Sequence, residues 1–301
     1  MMASKPLISV CVITYNHENF ISQAINGVFL QELNFPVEFI ISNDCSSDKT
    51  NDKIEEIINQ APENISVRYF NHKKNLGSLK NFSFAINQCS GKYIAYFEGD
   101  DYWEYSEKLQ AQVDFLEQNP DFAICCHNLK FLEGNKLTEQ VYIDKANIKD
   151  VSSIEDLAKF NLIPTLTAVF RNVENKLPSW ILNSPIGDLP MFMMVAKHGK
   201  IKFINEKWAV YRKNIGVWSK MGNMRNLNMI KQYNLLIEEF KQDLKVKKNL
   251  QFARNKYIKE YLKKEKVSFT KLFENVFFKQ LPIKDKLKII FMDSCRGLFN
   301  L

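Results

Sequence analysis

Three carboxylates crowd around one glycine in Glu98-Gly99-Asp100-Asp101, directly after the apolar, aromatic run Tyr93-Ile94-Ala95-Tyr96-Phe97. Such a cluster repels itself, and holding it at the end of a buried strand is unfavourable without a cation. Closely spaced carboxylate oxygens are what a hard divalent ion such as Mg²⁺ or Mn²⁺ requires, and these ions complete their shells with water and substrate phosphates. A solvated acidic turn is the alternative reading of any lone Asp-Asp pair. Here the strand-like run before the pair favours a metal–phosphate site built from Glu98, Asp100 and Asp101.

The elements that must position this cluster follow from periodicity. Leu7 to Ile13 is a short β-branched run with no helical period, consistent with a buried parallel strand. Thr14-Tyr15-Asn16-His17 breaks it, and Phe20, Ile21, Ala24, Ile25 and Val28 then share one helical face. The same strand–loop–helix unit recurs. Val37 to Ser42 leads into Asn43-Asp44-Cys45-Ser46-Ser47-Asp48 and a helix with Ile54, Ile57 and Ile58. Ile65 to Phe70 leads into His72-Lys73-Lys74-Asn75 and a helix with Leu79, Phe82, Ala85 and Ile86. The run ending at Glu98 precedes a helix with Leu109, Val113 and Leu116, and Asp121 to Cys126 reads as a fifth strand. This alternation predicts an open, mostly parallel α/β sheet flanked by helices. Ligands bind such sheets at the carboxyl ends of their strands, so the loops at Thr14–Asn16, Asn43–Asp48 and Glu98–Asp101 are expected to meet in one crevice.

Beyond Phe131 the pattern loosens. Thr165 to Arg171 reads as a strand, and Pro185 to Pro190 opens a helix expected to end at Gly199 as its C-cap. Asp188 lies at that helix start, where a carboxylate also serves as a cap or dipole partner. Ile201–Ile204 and Trp208–Tyr211 read as two further strands, and the chain from about Asn226 onward as helix. There is no GxxxxGK phosphate loop and no GxGxxG, which disfavours kinase and dinucleotide-dehydrogenase readings. The six cysteines show no CxxC spacing and suit buried thiols in a reducing compartment. No histidine has a partner at metal-ligand spacing. His17 and His72 are expected to face the crevice, His198 to end a helix, and His127 is a candidate to touch an acceptor.

Taken together, four motifs in order resemble a family 2 glycosyltransferase with the GT-A fold, over roughly residues 5–220. Pro6 to Asn16 resembles the opening strand and donor-base loop. Asn43-Asp44-Cys45-Ser46-Ser47-Asp48 resembles D-D-x-S-x-D with Asn in first place. Glu98-Gly99-Asp100-Asp101 resembles the D-x-D-D form of the DXD motif with Glu in first place. Gly187-Asp188 resembles the E-D motif with Gly in place of Glu, and the Tyr211–Trp218 tract is similar to the segment that closes over the donor diphosphate. The resemblance implies a GT-A-type (Rossmann-like) domain over residues 1–222, with a nucleotide-sugar half to about 127 and an acceptor half to 222. It also implies inverting transfer from a nucleotide-diphosphate sugar, most simply a UDP-sugar, with Asp188 as catalytic base. Thr14, Tyr15, Asn16, Asn43, Asp44, Lys74, Asp100, Arg212 and Trp218 are the expected donor contacts, and Glu98, Asp100 and Asp101 the ligands of Mn²⁺ or Mg²⁺. Asp44 is the carboxylate expected to read the nucleobase or ribose. Lys74 and Arg212 are each either phosphate supports or solvated surface cations.

Residues 223–301 form a basic helical C-terminal extension. From 241 to 301, sixteen Lys and Arg stand against six Asp and Glu, a balance of +10 in a chain whose total is +7, so residues 1–240 carry a net −3. No run approaches the roughly 18–20 apolar residues of a spanning helix. The expectation is a cytoplasmic enzyme, peripheral at the inner face of the membrane, acting on a glycan or lipid-linked acceptor in surface-polysaccharide synthesis. Three other readings compete with it. A catalytically inactive nucleotide-sugar-binding scaffold would bind donor without needing Asp188. A nucleotidyltransferase would need a glycine- and arginine-rich first loop, where this chain has Thr14-Tyr15-Asn16. A nucleic-acid binder would need a reading module that is absent.

Overall fold

The computed structural model describes residues 6–138, 142, 149–173, 176–216, 221–222, 224–265, 274–287 and 289. Trp218 and residue 217 of the 211–218 tract, residues 139–141 and 143–148, and the chain after 287 apart from residue 289 lie outside the described residues.

The first half of the chain alternates strand and helix: β1 (Ile8–Thr14), α1 (Ile21–Phe29), β2 (Val37–Asn43), α2 (Thr50–Ile58), β3 (Ile65–Asn71), α3 (Ser78–Gln88) and β4 (Tyr93–Glu98). Then follow β5 (Tyr102–Trp103), α4 (Lys108–Gln118), β6 (Phe122–Glu133), β7 (Lys136–Thr138), β8 (Val151–Ser152), α5 (Ile154–Lys159), β9 (Val169–Arg171), α6 (Asp188–Val195) and β10 (Lys200–Arg212). The sheet runs β3-β2-β1-β4-β9-β6-β10-β5, with β7 against β6 and β8 against β10. β1, β2, β3 and β4 pair in parallel, as does β6 with β10, whereas β9 runs antiparallel between β4 and β6.

Every residue of β1 and β2 is buried, which is why both read as unbroken β-branched runs without alternation. β3, at the edge of the sheet, is mostly half-exposed. On α1 the buried face is Ile21, Ala24, Ile25, Gly27 and Val28; it packs into a core that includes Val10, Val12, Phe39, Ile41, Phe97 and Trp103. Gly27 is required by close approach, since a Cβ there would meet the Trp103 carbonyl oxygen at 2.8 Å.

The strand order reverses between β1 and β4. β2 and β3 were laid to one side of β1, and the next crossover places β4 on the other. Their register aligns Asn71, Asn43, Thr14 and Glu98 at the carboxyl edge, through the pairs Asn43↔Asn71, Thr14↔Asn43 and Ile13↔Glu98. A crevice opens outside such a reversal because neighbouring connections diverge to opposite faces. The acidic turn therefore stands at the switch point.

Several boundaries differ from those expected. The fifth strand does not stop at Cys126; β6 continues through His127 and Asn128, both fully buried, to Glu133. Thr165–Thr167 is a 3₁₀ turn and only Val169–Arg171 is strand. The two strands expected at 201–204 and 208–211 are one, β10, whose register against β6 shifts between Ile204 and Lys207 and again before Val210. The polar Asn205-Glu206-Lys207 at that irregularity broke the apolar pattern. Gly199 is not a left-handed cap: its φ of 168° is extended backbone. Glycine is needed there because a Cβ would lie 2.7 Å from the Asp121 carbonyl oxygen.

Residues 221–301 make a second compact unit. Helices Met224–Glu239 and Leu244–Lys264 and the short Val276–Lys279 share a small core of Ile230, Ile258, Leu262, Phe278 and Leu281. Asp243 caps the long helix, its side chain accepting from the backbone N–H groups of Lys245 and Val246. Among the described residues no helix is long and apolar enough to cross a membrane.

Candidate active site

The three loops at the carboxyl edge are bound to one another. Asp44 N–H donates to the Thr14 carbonyl (2.9 Å), Asn16 N–H to Ser46 Oγ (2.9 Å), and Ser47 N–H to Asn16 Oδ1 (2.8 Å). Asn16 adopts φ 55°, a left-handed conformation that asparagine tolerates better than most residues. Gly99 brings the acidic turn against the first loop, since a Cβ there would lie 2.9 Å from Thr14 Oγ1. The predicted convergence of Thr14–Asn16, Asn43–Asp48 and Glu98–Asp101 is thus realised.

Two residues expected to touch a donor, Asn43 and Asp44, also hold these loops. Asn43 is fully buried: its amide donates to Tyr69 Oη (3.0 Å) and Asn71 Oδ1 (3.3 Å), and its Oδ1 accepts from Ser46 Oγ (2.6 Å). Both oxygens of the buried Asp44 accept backbone N–H bonds, from Leu76 (2.6 Å) and Gly77 (3.0 Å). Asp44 therefore pins the β3–α3 loop. Lys74 is exposed on that pinned loop, and Tyr15 is 45% exposed at the crevice mouth.

In the acidic turn, Asp100 and Asp101 are both buried, and Asp100 Oδ1 has no hydrogen-bond partner among the described residues. Asp101 Oδ1 accepts from Arg212 N–H (2.8 Å); burial and then the neighbouring Asp100 charge push its carboxyl well up. Glu98 is exposed at the edge of the turn, and protein crowded around its carboxyl, then the charges of Asp100 and Asp188, push its pKa upward. An anionic cluster strained in this way is one that a cation relieves. The orphaned Asp100 oxygen and the exposed Glu98 carboxylate are the donors that fit a divalent ion. Asp101, engaged to Arg212, is the poorer third ligand, and among the described residues no three His, Cys, Asp or Glu side chains gather closely enough to hold a metal unaided.

Arg212 is not a solvent-facing cation. It is 7% exposed, and its guanidinium donates to the Asp100 carbonyl and to Gln23 Oε1 and lies 4.9 and 4.7 Å from the centroids of the Phe20 and Tyr102 rings.

Asp188 opens α6 and is half-buried. Its Oδ1 accepts from Leu189 N–H (2.7 Å) and its Oδ2 from Thr165 Oγ1 (3.0 Å), yet burial still raises its carboxyl above the ordinary value. Asp188 lies near enough to Glu98 for its charge to add to the upward push on the Glu98 carboxyl. Gly187, where the resemblance leads one to expect Glu, has no room for a side chain, because a Cβ would collide with the Phe82 ring. Thr165 was missed by sequence reading. Trp103 Nε1–H donates to the Leu166 carbonyl (2.7 Å) and Gln112 Nε2 to the Thr167 carbonyl (2.9 Å), fixing the turn that aims Thr165 at Asp188. A tryptophan two residues after the acidic pair was the available signal.

Of the histidines, His127 does not act as expected. His127 is fully buried in the core, its Nδ1 against the Asn128 carbonyl (2.6 Å) and its ring 5.0 Å from that of Trp208, so it does not reach an acceptor. His72 packs on Phe84 and pairs with Ser42 Oγ (3.0 Å). His17 pairs with Thr14 Oγ1 (3.1 Å) close to Asp100, and burial lowers its pKa.

Comparison with known proteins agrees with this architecture. The chain is 31% identical over 214 residues to the uncharacterized protein Rv1520 of Mycobacterium tuberculosis, a match covering 70% of this chain but only 60% of that protein's length. It is 27% identical over 213 residues to the putative teichuronic acid biosynthesis glycosyltransferase TuaG of Bacillus subtilis, covering 69% and 79% of the two chains. Among solved structures, S. aureus TarS 1-349 in complex with UDP-GlcNAc aligns with TM-score 0.62 at 17% identity, over 92% of this chain and 82% of that one. The mannosyltransferase PcManGT from Pyrobaculum calidifontis, in complex with GDP-Man and Mn²⁺, aligns with TM-score 0.59 at 13% identity, over 98% and 81%. Residues 9–177, more than half of the chain, match Glycosyl transferase family 2, and the chain belongs to that family.

Proposed function

We propose that the protein is an inverting glycosyltransferase that moves a sugar from a nucleotide-diphosphate sugar to a hydroxyl of a glycan or lipid-linked acceptor. The observation that carries the reading is the pairing of Asp188, half-buried with a raised carboxyl pKa, with an acidic turn whose Asp100 Oδ1 is buried and unpartnered. A general base works best when its pKa is drawn towards the operating pH and its orientation is fixed, and Asp188 meets both conditions. It accepts the proton of the acceptor hydroxyl as that oxygen attacks the anomeric carbon and the bond to the diphosphate breaks on the opposite face.

A divalent ion held by Glu98 and Asp100, with Asp101 beside them, would neutralise charge growing on the leaving diphosphate. Thr14, Tyr15 and Asn16 line the base side, and Lys74 is the exposed cation on that side. The donor half of the site is assigned to residues 1–127 and the acceptor half to 128–222. Uridine is our choice of nucleotide, supported by the UDP-GlcNAc bound to TarS, with guanosine as in PcManGT the next to test. TuaG's putative role in teichuronic acid synthesis supports a surface-polysaccharide acceptor. The basic extension would hold the enzyme on anionic membrane lipid at the cytoplasmic face.

Asp188→Asn tests the chemistry. Removing a general base lowers turnover by about 10²–10⁴-fold, so transfer falls by that factor while nucleotide binding stays at the wild-type level. Full transfer activity in this variant would favour a different base, and full biological function without transfer would favour the scaffold reading.

A further inference from the structure

The acidic turn carries its negative charge on a backbone that has to be held still. Asp100 and Asp101 are adjacent, buried and alike in charge, so the turn tends to splay unless something opposes it. Three links to one residue oppose it. The Arg212 N–H holds the Asp101 carboxylate (2.8 Å), one arm of its guanidinium holds the Asp100 carbonyl, and the other arm is braced by Gln23 on α1. The Phe20 and Tyr102 rings also pack against the guanidinium, 4.9 and 4.7 Å from its carbon. With its carbonyl and its neighbour fixed, Asp100 holds a buried carboxylate whose Oδ1 has no hydrogen-bond partner among the described residues.

We propose that Arg212 is a positioning residue for the acidic turn: it does not bind the donor diphosphate but fixes Asp100 so that its free carboxylate oxygen meets a divalent cation. This rests on the metal-dependent reading given above. The geometry requires a planar fork, because two divergent acceptors are held at once; a lysine keeps the charge and loses one arm. Gln23 belongs to the same device although it is remote in sequence and uncharged.

The test is Mn²⁺ binding by the full-length protein in saturating UDP, read as the loss of the electron paramagnetic resonance signal of free Mn²⁺ beyond that of an Mn²⁺–UDP control without protein, for wild type, Arg212→Lys and Gln23→Ala. Thermal unfolding in EDTA is run alongside to show that each variant is folded. Groups that orient metal ligands typically change metal affinity by about 10–100-fold. Arg212→Lys is therefore expected to weaken Mn²⁺ binding about tenfold despite its retained charge, and Gln23→Ala to weaken it in the same direction. The residual, weaker affinity for UDP in EDTA, titrated directly at high nucleotide concentration, should be unchanged in both. Wild-type Mn²⁺ affinity in both folded variants would overturn the positioning role, and a selective loss of diphosphate binding in EDTA would make Arg212 a phosphate ligand. A wild-type protein that binds nucleotide but no Mn²⁺ would overturn the metal reading itself together with this device.

Discussion

Thr165 shows how one hydroxyl sets the behaviour of the proposed base. Burial pushes the Asp188 carboxyl up, and the Leu189 N–H and Thr165 hydroxyl bonds pull it down by favouring the ionised form. Thr165→Val keeps the side-chain shape and removes one of those bonds. The base then holds its proton to higher pH, so the acid limb of the transfer rate shifts upward by about half a pH unit to one unit, given roughly 1 kcal/mol for such a bond. Thr165→Ser should restore the wild-type limb, and a Val variant with an unshifted profile would remove Thr165 from the account. At this scale the sequence showed residue types well and their partners poorly. Asp188 and the acidic turn stood out as unmatched charge beside apolar runs. The commitment of Asp44 to two backbone N–H groups, and of Arg212 to a carbonyl and a glutamine, depended on contacts across 32 to 189 residues that no local pattern records. Gly187 illustrates the same limit: its missing side chain is explained by Phe82, about a hundred residues away.

Among the elements, α4 is the one whose polar content the apolar pattern hid. Leu109, Val113 and Leu116 face the core as expected, but Lys108 and Gln112 are also fully buried on that helix. The Lys108 amine donates to Gln112 Oε1 (2.9 Å) and lies 4.0 Å from the Trp103 ring centroid, and burial brings its pKa down to about 7. Between about pH 7 and pH 10.5 the unfolded chain binds a proton there that the folded chain refuses. Stability from this group therefore rises with pH through that window, and the full penalty applies below pH 7. Lys108→Met keeps the packing and removes the buried amine. It should raise the melting temperature at pH 6 by several degrees, on the order of 2 kcal/mol, with a smaller gain at pH 10. An equal gain at both pH values, or a loss at pH 6, would contradict the burial argument. Strand–helix alternation was legible because the parallel strands are buried on both faces, leaving continuous apolar runs. The ends of β6 and β10 were not, since His127, Asn128 and the 205–207 irregularity place polar residues inside strands. A lysine in an apolar helix reads as a surface residue until the tryptophan beneath it is seen.

The whole molecule divides its charge unequally, +10 over residues 241–301 against −3 over the rest, and this imbalance was fully visible in sequence because charge counts need no fold. Each basic residue near an anionic bilayer adds about 1 kcal/mol of attraction, and salt screens it within a Debye length of about 10 Å at 0.1 M. The full-length protein should therefore float with vesicles containing phosphatidylglycerol at 20 mM salt and be released at about 0.5 M. A protein that stays behind at low salt would remove the membrane from the account. The central claim concerns the crevice: the acidic turn at the β1/β4 reversal holds a divalent ion together with a nucleoside diphosphate. Its most direct test is a thermal-unfolding screen of UDP, GDP and dTDP and their sugars, each with Mn²⁺ and with EDTA. Saturation at about 100 times the dissociation constant stabilises the native state by about 2.7 kcal/mol. The account predicts a rise of several degrees with one nucleotide in Mn²⁺, largely lost in EDTA. A folded protein whose unfolding temperature no nucleotide moves, with or without Mn²⁺, would contradict it.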